Sequence, residues 1–193
     1  MRLKLLAGLA ALLPLTACFG GGNVPDALLN LTPLERPATA TPRAATDGRV
    51  FVVNEPITPQ ALSVRRVPVY VDPITIQYLQ GATWVEQPSA LLRRVLSDTI
   101  AARTGLVALD PALTTQVSGQ VLSGQLSAFG LDPSRSEVVA IYEAALTRAG
   151  AGVTANRFEV RVPVTEPTAA AVGPALNQAA NQLAVQVADW IGG

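Results

Sequence analysis

Toward the end of the chain Phe158, Val160, Val162 and Val164 alternate with Arg157, Glu159 and Arg161. A period of two with one apolar and one charged face predicts a strand over 156–164 that is buried on one side and wet on the other. Further strands are predicted at 120–129 and 137–146, set apart by the turn signals Asp132-Pro133-Ser134 and Gly150-Ala151-Gly152. Upstream, Val50 to Val53 is a compact β-branched and aromatic run, and Ile74 to Leu79 is another, closed by Gly81. Between them Leu62/Val64 and Val67/Val69/Val71 alternate in two phases, which predicts a bulge at Arg65-Arg66. Leu106 to Leu109 makes one more short strand.

Two segments carry the helical period instead. Leu91, Leu92, Val95, Leu96, Thr99 and Ile100 recur at spacings of three and four, with Pro88 suited to the first turn and Gly105 to the end. The second runs from about Pro174 to Ile191, with Leu176, Ala179, Ala180, Leu183, Val187 and Trp190 as its apolar stripe. Its other side, Asn177, Gln178, Asn181, Gln182 and Gln186, is amide-rich and nearly uncharged; that is either a solvated face or a protein contact. The order strands, helix, strands, helix predicts an α+β domain, a mostly antiparallel sheet with two amphipathic helices packed on it. Residues 27–31 read as a short edge strand, and 33–48, rich in Pro, Thr and Ala, as a long loop.

The first residues follow a different grammar. Arg2 and Lys4 precede an apolar run, Leu5 to Leu15, too short for the roughly 20 residues that cross a bilayer and typical of a secretory signal. Leu15-Thr16-Ala17-Cys18 then looks like a bacterial lipobox, followed by Phe19 and Gly20-Gly21-Gly22. Residues 1–17 are thus expected to be a cleaved signal peptide and 18–26 a lipidated Cys and Gly-rich tether, leaving 27–193 as a single domain. Cys18 would carry a thioether-linked diacylglycerol and an N-acyl chain, and two or more chains hold a protein on a bilayer durably. Phe19 stands where an Asp would retain enteric lipoproteins at the inner membrane, so the expected address is the periplasmic face of the outer membrane.

Composition narrows the chemistry. The 14 Lys+Arg balance 14 Asp+Glu, and loss of Arg2 and Lys4 leaves 12 Arg against 14 acidic residues, which offers no basic surface for nucleic acid or anionic lipid. With no His and one Cys, a His base, a Cys/His zinc site and an internal disulfide are excluded by count. The acidic residues are scattered singly and aromatics are 5% of the chain, little material for a glycosidase cleft. No catalytic residue, metal ligand or cofactor is assigned.

The lipobox, the strand Arg66-Val67-Pro68-Val69-Tyr70-Val71 leading through Tyr78 to Trp84-Val85-Glu86-Gln87-Pro88, the helix after it and the helix at 176–190 together resemble the ABC-type transport auxiliary lipoproteins, the group that includes the paraquat-inducible auxiliary lipoprotein. Trp84 and Glu86 just before the helix are the most specific part. The first strand departs from the family, with Leu28-Leu29-Asn30-Leu31 where Tyr is common.

The resemblance implies a non-catalytic, outer-membrane-anchored partner of an ABC permease and ATPase and of a mammalian-cell-entry-type substrate-binding subunit. Its implied cargo is phospholipid or another hydrophobic molecule moved between inner and outer membranes. A homo-oligomeric ring around a conduit is compatible with it. An assembly or scaffolding lipoprotein of the outer membrane is the alternative. Trp84 and Glu86 are the candidate partner contacts; packing of Trp84 beneath the helix, and a helix-end role for Glu86, are the competing readings. Arg65 and Arg66 either grip a phosphate or carboxylate or lie on a wet strand face, and Tyr70 and Tyr78 read as packing residues with a polar tip.

Overall fold

The computed structural model describes residues 27–37, 49–113 and 119–193. The expected signal peptide, Cys18 and its tether, and the greater part of the 33–48 loop lie outside the described residues. Among the described residues seven strands and two α-helices follow in the order β1 (Val50–Val53), β2 (Arg66–Asp72), β3 (Thr75–Thr83), α1 (Pro88–Thr104), β4 (Val107–Leu109), β5 (Gln120–Asp132), β6 (Glu137–Arg148), β7 (Gly152–Pro163) and α2 (Ala169–Gly192).

The strands form one sheet organised around β5. One edge of β5 pairs antiparallel with β6 over its full length, interrupted by a bulge between Leu126 and Ala128, and β6 pairs antiparallel with β7. The other edge is shared in tandem by β1 (Phe51 opposite Gln120), a bridge at Ile57 to Gln125, and β2 (Val69 opposite Leu131), all parallel. Beyond these, β4 pairs parallel with β1 and β3 antiparallel with β2.

The domain is therefore α+β, but the expectation of a mostly antiparallel sheet is corrected: the sheet is mixed. Its physical origin is the crossover through α1. Strands β4 and β5, which follow α1, run beside β1, which precedes it, in the same direction, which a hairpin cannot achieve.

Helix α1 starts with Pro88 in its first turn and ends at Gly105 in the left-handed region (φ 68°), where a glycine costs least. Its predicted apolar row is buried in full. Helix α2 begins five residues before Pro174, with the Thr168 hydroxyl accepting from Ala171 N–H at the N-cap. Pro174 is tolerated because it sits near the start and on the exposed side, as does Ala170, whose carbonyl is the one left without a helical N–H by the proline. Both helices lie together, α2 crossing β6 and β7 and α1 reaching β1 and β4.

The core between helices and sheet is led by Trp84, Tyr142, Phe51 and Phe129. Each large side chain buried there contributes about 1.5–3 kcal/mol of apolar transfer. The two-phase pattern at 62–71 has another origin than the expected bulge at Arg65-Arg66. Leu62 closes a 3-10 turn (Gln60–Leu62), the strand starts only at Arg66, and irregular register falls between Arg66 and Pro68 and between Tyr70 and Asp72. The expected 27–31 strand shrinks to a single parallel bridge, Leu29 with Trp84.

Candidate functional site

The junction from β3 into α1 holds the two candidate contact residues, and the structure separates them. Trp84 has no exposed surface; its indole stacks on Phe129 of β5 at 5.6 Å between ring centres, 24° from parallel. The backbone around it is clasped by Trp84 N–H to Arg65 O and Val85 N–H to Leu29 O, each 2.9 Å. Its Nε1 has no hydrogen-bond partner, which costs stability. Trp84 thus presents nothing to a partner in this conformation; it joins β5 to the segment entering α1.

Glu86 is exposed and receives a 2.8 Å hydrogen bond from Arg94 two turns into α1. That bond holds its carboxyl below the usual carboxylate range. It does not cap the helix: the N-cap is Gln87, with no side-chain cap bond, and Gln87 Nε2 donates instead to Ser63 O at 3.0 Å. Nearby, the buried Ser89 hydroxyl donates to Glu55 at 2.6 Å.

Arg65 and Arg66 are exposed and do not converge on one point. The guanidinium of Arg66 lies over the Tyr78 ring at 5.8 Å, and Arg65 reaches toward Val85 O at 3.5 Å. Tyr70 accepts from Phe129 N–H at 3.1 Å, and burial pushes its phenol up from the ordinary value. Tyr78 donates to Ala61 O at 3.4 Å. Both tyrosines serve packing with a bonded tip.

Several carboxylates elsewhere are taken up in ion pairs. Arg161 meets Glu159 at 2.9 Å, Asp132 at 3.3 Å and Glu137 at 3.7 Å, and Arg157 meets Glu159 at 2.9 Å. The carboxyls of Asp132 and Glu159 are held low, by the Ser134 hydroxyl first and Arg161 next for Asp132, and by Arg161 for Glu159. Such acids are charged acceptors, poorly suited to donate a proton near neutral pH. Asp98, partly buried, is shifted the other way by desolvation. Among the described residues no cluster of three or more acidic, Cys or His side chains could hold a metal ion.

The amide face of α2 is where the structure assembles something the pattern alone does not reveal. Asn177 Oδ1 accepts from Thr32 N–H at 2.8 Å and Asn181 Oδ1 from Leu34 N–H at 2.7 Å, while Asn181 Nδ2 donates to Thr32 O at 2.9 Å. Two asparagines one turn apart thus hold the backbone of an extended stretch laid against the helix. Leu31 is buried beneath that stretch, and Glu35 is fixed at its end by Arg103, which also binds Asp189 of α2.

Alongside runs an open groove of about 590 Å³ between Leu34, Glu35 and the outer α2 side chains Gln178, Gln182, Val185 and Gln186, with Thr99 and Asn181 lining it. The Thr99 hydroxyl is buried and unpartnered. The one hint of this in the sequence is two Asn four residues apart within the amide-rich face of the helix. The partner stretch, 32–35, has no pattern of its own.

A separate apolar feature caps the β2–β3 hairpin, where Val71, Ile74 and Ile76 are exposed, Ile74 to 95%. Asp72, beside them, folds back to accept from Ile74 N–H at 2.9 Å.

Comparison with known proteins adds three findings. A family model described as the ABC-type transport auxiliary lipoprotein component matches residues 30–188. No curated protein matches the sequence. Among solved structures, a Xanthomonas campestris protein of a domain family of unknown function is similar at TM-score 0.67 and 20% identity, over 86% of this chain and 94% of that one. An uncharacterised protein is similar at TM-score 0.65 and 15% identity, over 74% and 92%. At those identities the likeness is one of fold. No helix among the described residues is long and apolar enough to cross a membrane.

Proposed function

The chain belongs to the family of ABC-type transport auxiliary lipoprotein components, and from that premise we propose that it is a non-catalytic subunit anchored through Cys18 on the periplasmic face of the outer membrane. It docks there with an ABC permease and ATPase and a mammalian-cell-entry-type substrate-binding subunit that move phospholipid or another hydrophobic molecule between the membranes. The observation that carries this reading is the extent of the family match, which takes in both helices almost entirely and all seven strands. The lipobox and the Phe19 position support the anchor and its address.

The physical logic is that of an adaptor. Lipid chains confine the protein to a surface, a rigid domain presents a fixed shape above it, and the energy for transport comes from the ATPase. The Trp84 junction sets that shape from inside, and Glu86 with Arg94 marks the outer rim of the same junction.

Mass spectrometry of proteins retained with the tagged full chain after mild crosslinking of intact cells tests the reading, with Cys18→Ala as control. Retention of transporter subunits that is lost in Cys18→Ala is expected, together with the mass of acyl chains on an N-terminal Cys18 peptide. Retention of barrel-assembly or wall-synthesis proteins in place of a transporter would overturn the transport role and leave the anchor standing.

A further inference from the structure

The row Gln178, Gln182 and Gln186 sits one position along from the pair Asn177 and Asn181, which already binds a backbone. Amides four residues apart on a helix are spaced by about 6 Å, and alternate peptide groups of an extended chain by about 6.7 Å. The match is realised within the molecule: two amides four apart meet the N–H groups of residues two apart, Thr32 and Leu34. The glutamine row repeats that spacing over three positions, is exposed, and has no hydrogen-bond partner among the described residues.

From this we infer that the glutamine row is a docking track for an extended, uncharged stretch of polypeptide from the transport partner, laid beside residues 32–35. The inference rests on the auxiliary-subunit reading above. Four observations select a peptide rather than a lipid or sugar. The lining pairs amides with the apolar side chains of Leu34 and Val185, which suits a main chain carrying small side chains. Thr99 lines the groove, and its hydroxyl, buried just beneath the surface, lacks a partner, which an incoming peptide group would supply once the side chain turns toward it. The one charged lining group, Glu35, is already paired with Arg103, so the track offers nothing to a phosphate headgroup; and no aromatic ring lines the groove for a sugar to stack on.

The experiment places a photo-crosslinking p-benzoylphenylalanine at Gln182 in the lipidated full chain, co-expressed with the ABC transporter subunits, and maps the crosslinked peptides. Binding of the transporter is then compared between wild type, the triple variant Gln178→Ala, Gln182→Ala, Gln186→Ala, and Thr99→Val. Crosslinks confined to one linear stretch of a transporter subunit are expected, with binding weakened about tenfold or more in the triple variant.

Thr99→Val removes an unpaired hydroxyl at nearly constant volume, so thermal stability should hold or rise while binding falls; alanines on an exposed helix face should likewise leave folding intact. Crosslinks to phospholipid or to a second copy of this chain, or unchanged binding in the triple variant, would overturn the docking track while the transport role stands. Failure of the wild type itself to retain any transporter subunit would remove both.

Discussion

The two flanks of β5 are built on opposite principles. On one side β6 follows it along the chain and pairs with it, and β7 in turn pairs with β6, in a meander whose strands match almost end to end, each register set by a short turn. On the other, β1 and β2 arrive from far upstream and meet β5 over a few positions, β2 at Val69 and Leu131 alone. Backbone pairing runs the length of the first flank, with one close approach at Gly124 against the Glu143 carbonyl, whereas the second flank has few backbone pairs and relies on Trp84 against Phe129 and on Gly130, where a Cβ would collide with the Pro68 carbonyl. Local closure needs little packing to be specific; distant closure is only as good as its packing.

The largest test of that contrast is Trp84→Ala. Loss of the stacked indole should cost about 3–5 kcal/mol, seen as a lower denaturation midpoint, and hydrogen exchange should show β2 and β3 losing protection well before β6 and β7. Equal loss on both flanks would mean that the sheet opens as one unit. Gly130→Ala should act on the same seam by overpacking, at about 1–3 kcal/mol. Asn181→Ala strips two backbone contacts from the 32–34 stretch and should cost about 1 kcal/mol, with protease cleavage newly favoured within 32–37 and the sheet unaffected.

The meander has its own weak variable, pH. Asp132 and Glu159 have carboxyls lowered in the folded state, so their stabilisation is complete above the usual carboxylate range, about pH 4, and is lost as pH falls through the lowered values. Melting temperature should therefore drop as pH falls below about 4, and Arg161→Ala should flatten that drop. Smallest of all is Glu86→Gln, an exposed pair with Arg94, for which no resolvable change in melting temperature is expected.

How far the sequence could be read follows from the same contrast. Helix α1, with Pro88 and Gly105 as its bounds, and the alternation in β7 are local patterns, and they appear where the periods place them. Strand direction is different: an alternating apolar pattern is the same read either way, so the parallel pairing of β1 and β2 with β5 leaves no trace in it. Trp84 shows the limit at the level of a single residue. Its position before a helix is compatible with a partner anchor and with a core group, and only the location of Phe129, 45 residues later in the chain, decides where the ring goes. The asparagine clamp lies further out of reach, because its ligand is a featureless stretch some 145 residues away.

That clamp and the Leu29 bridge also determine how the domain bears load. A pull on the N-terminal side of residue 27 arrives first at the hydrogen bonds of Leu29 with Thr83 and Val85, on either side of Trp84. Tension is thereby delivered to the backbone that carries the largest buried side chain, with the asparagine clamp behind it in series. Resistance to forced detachment is then governed by how fast this seam unfolds, not by the equilibrium stability of the whole domain. Under the anchoring proposed above, a domain tugged between a membrane and a moving partner would yield at its second flank while the β5–β6–β7 meander remained intact.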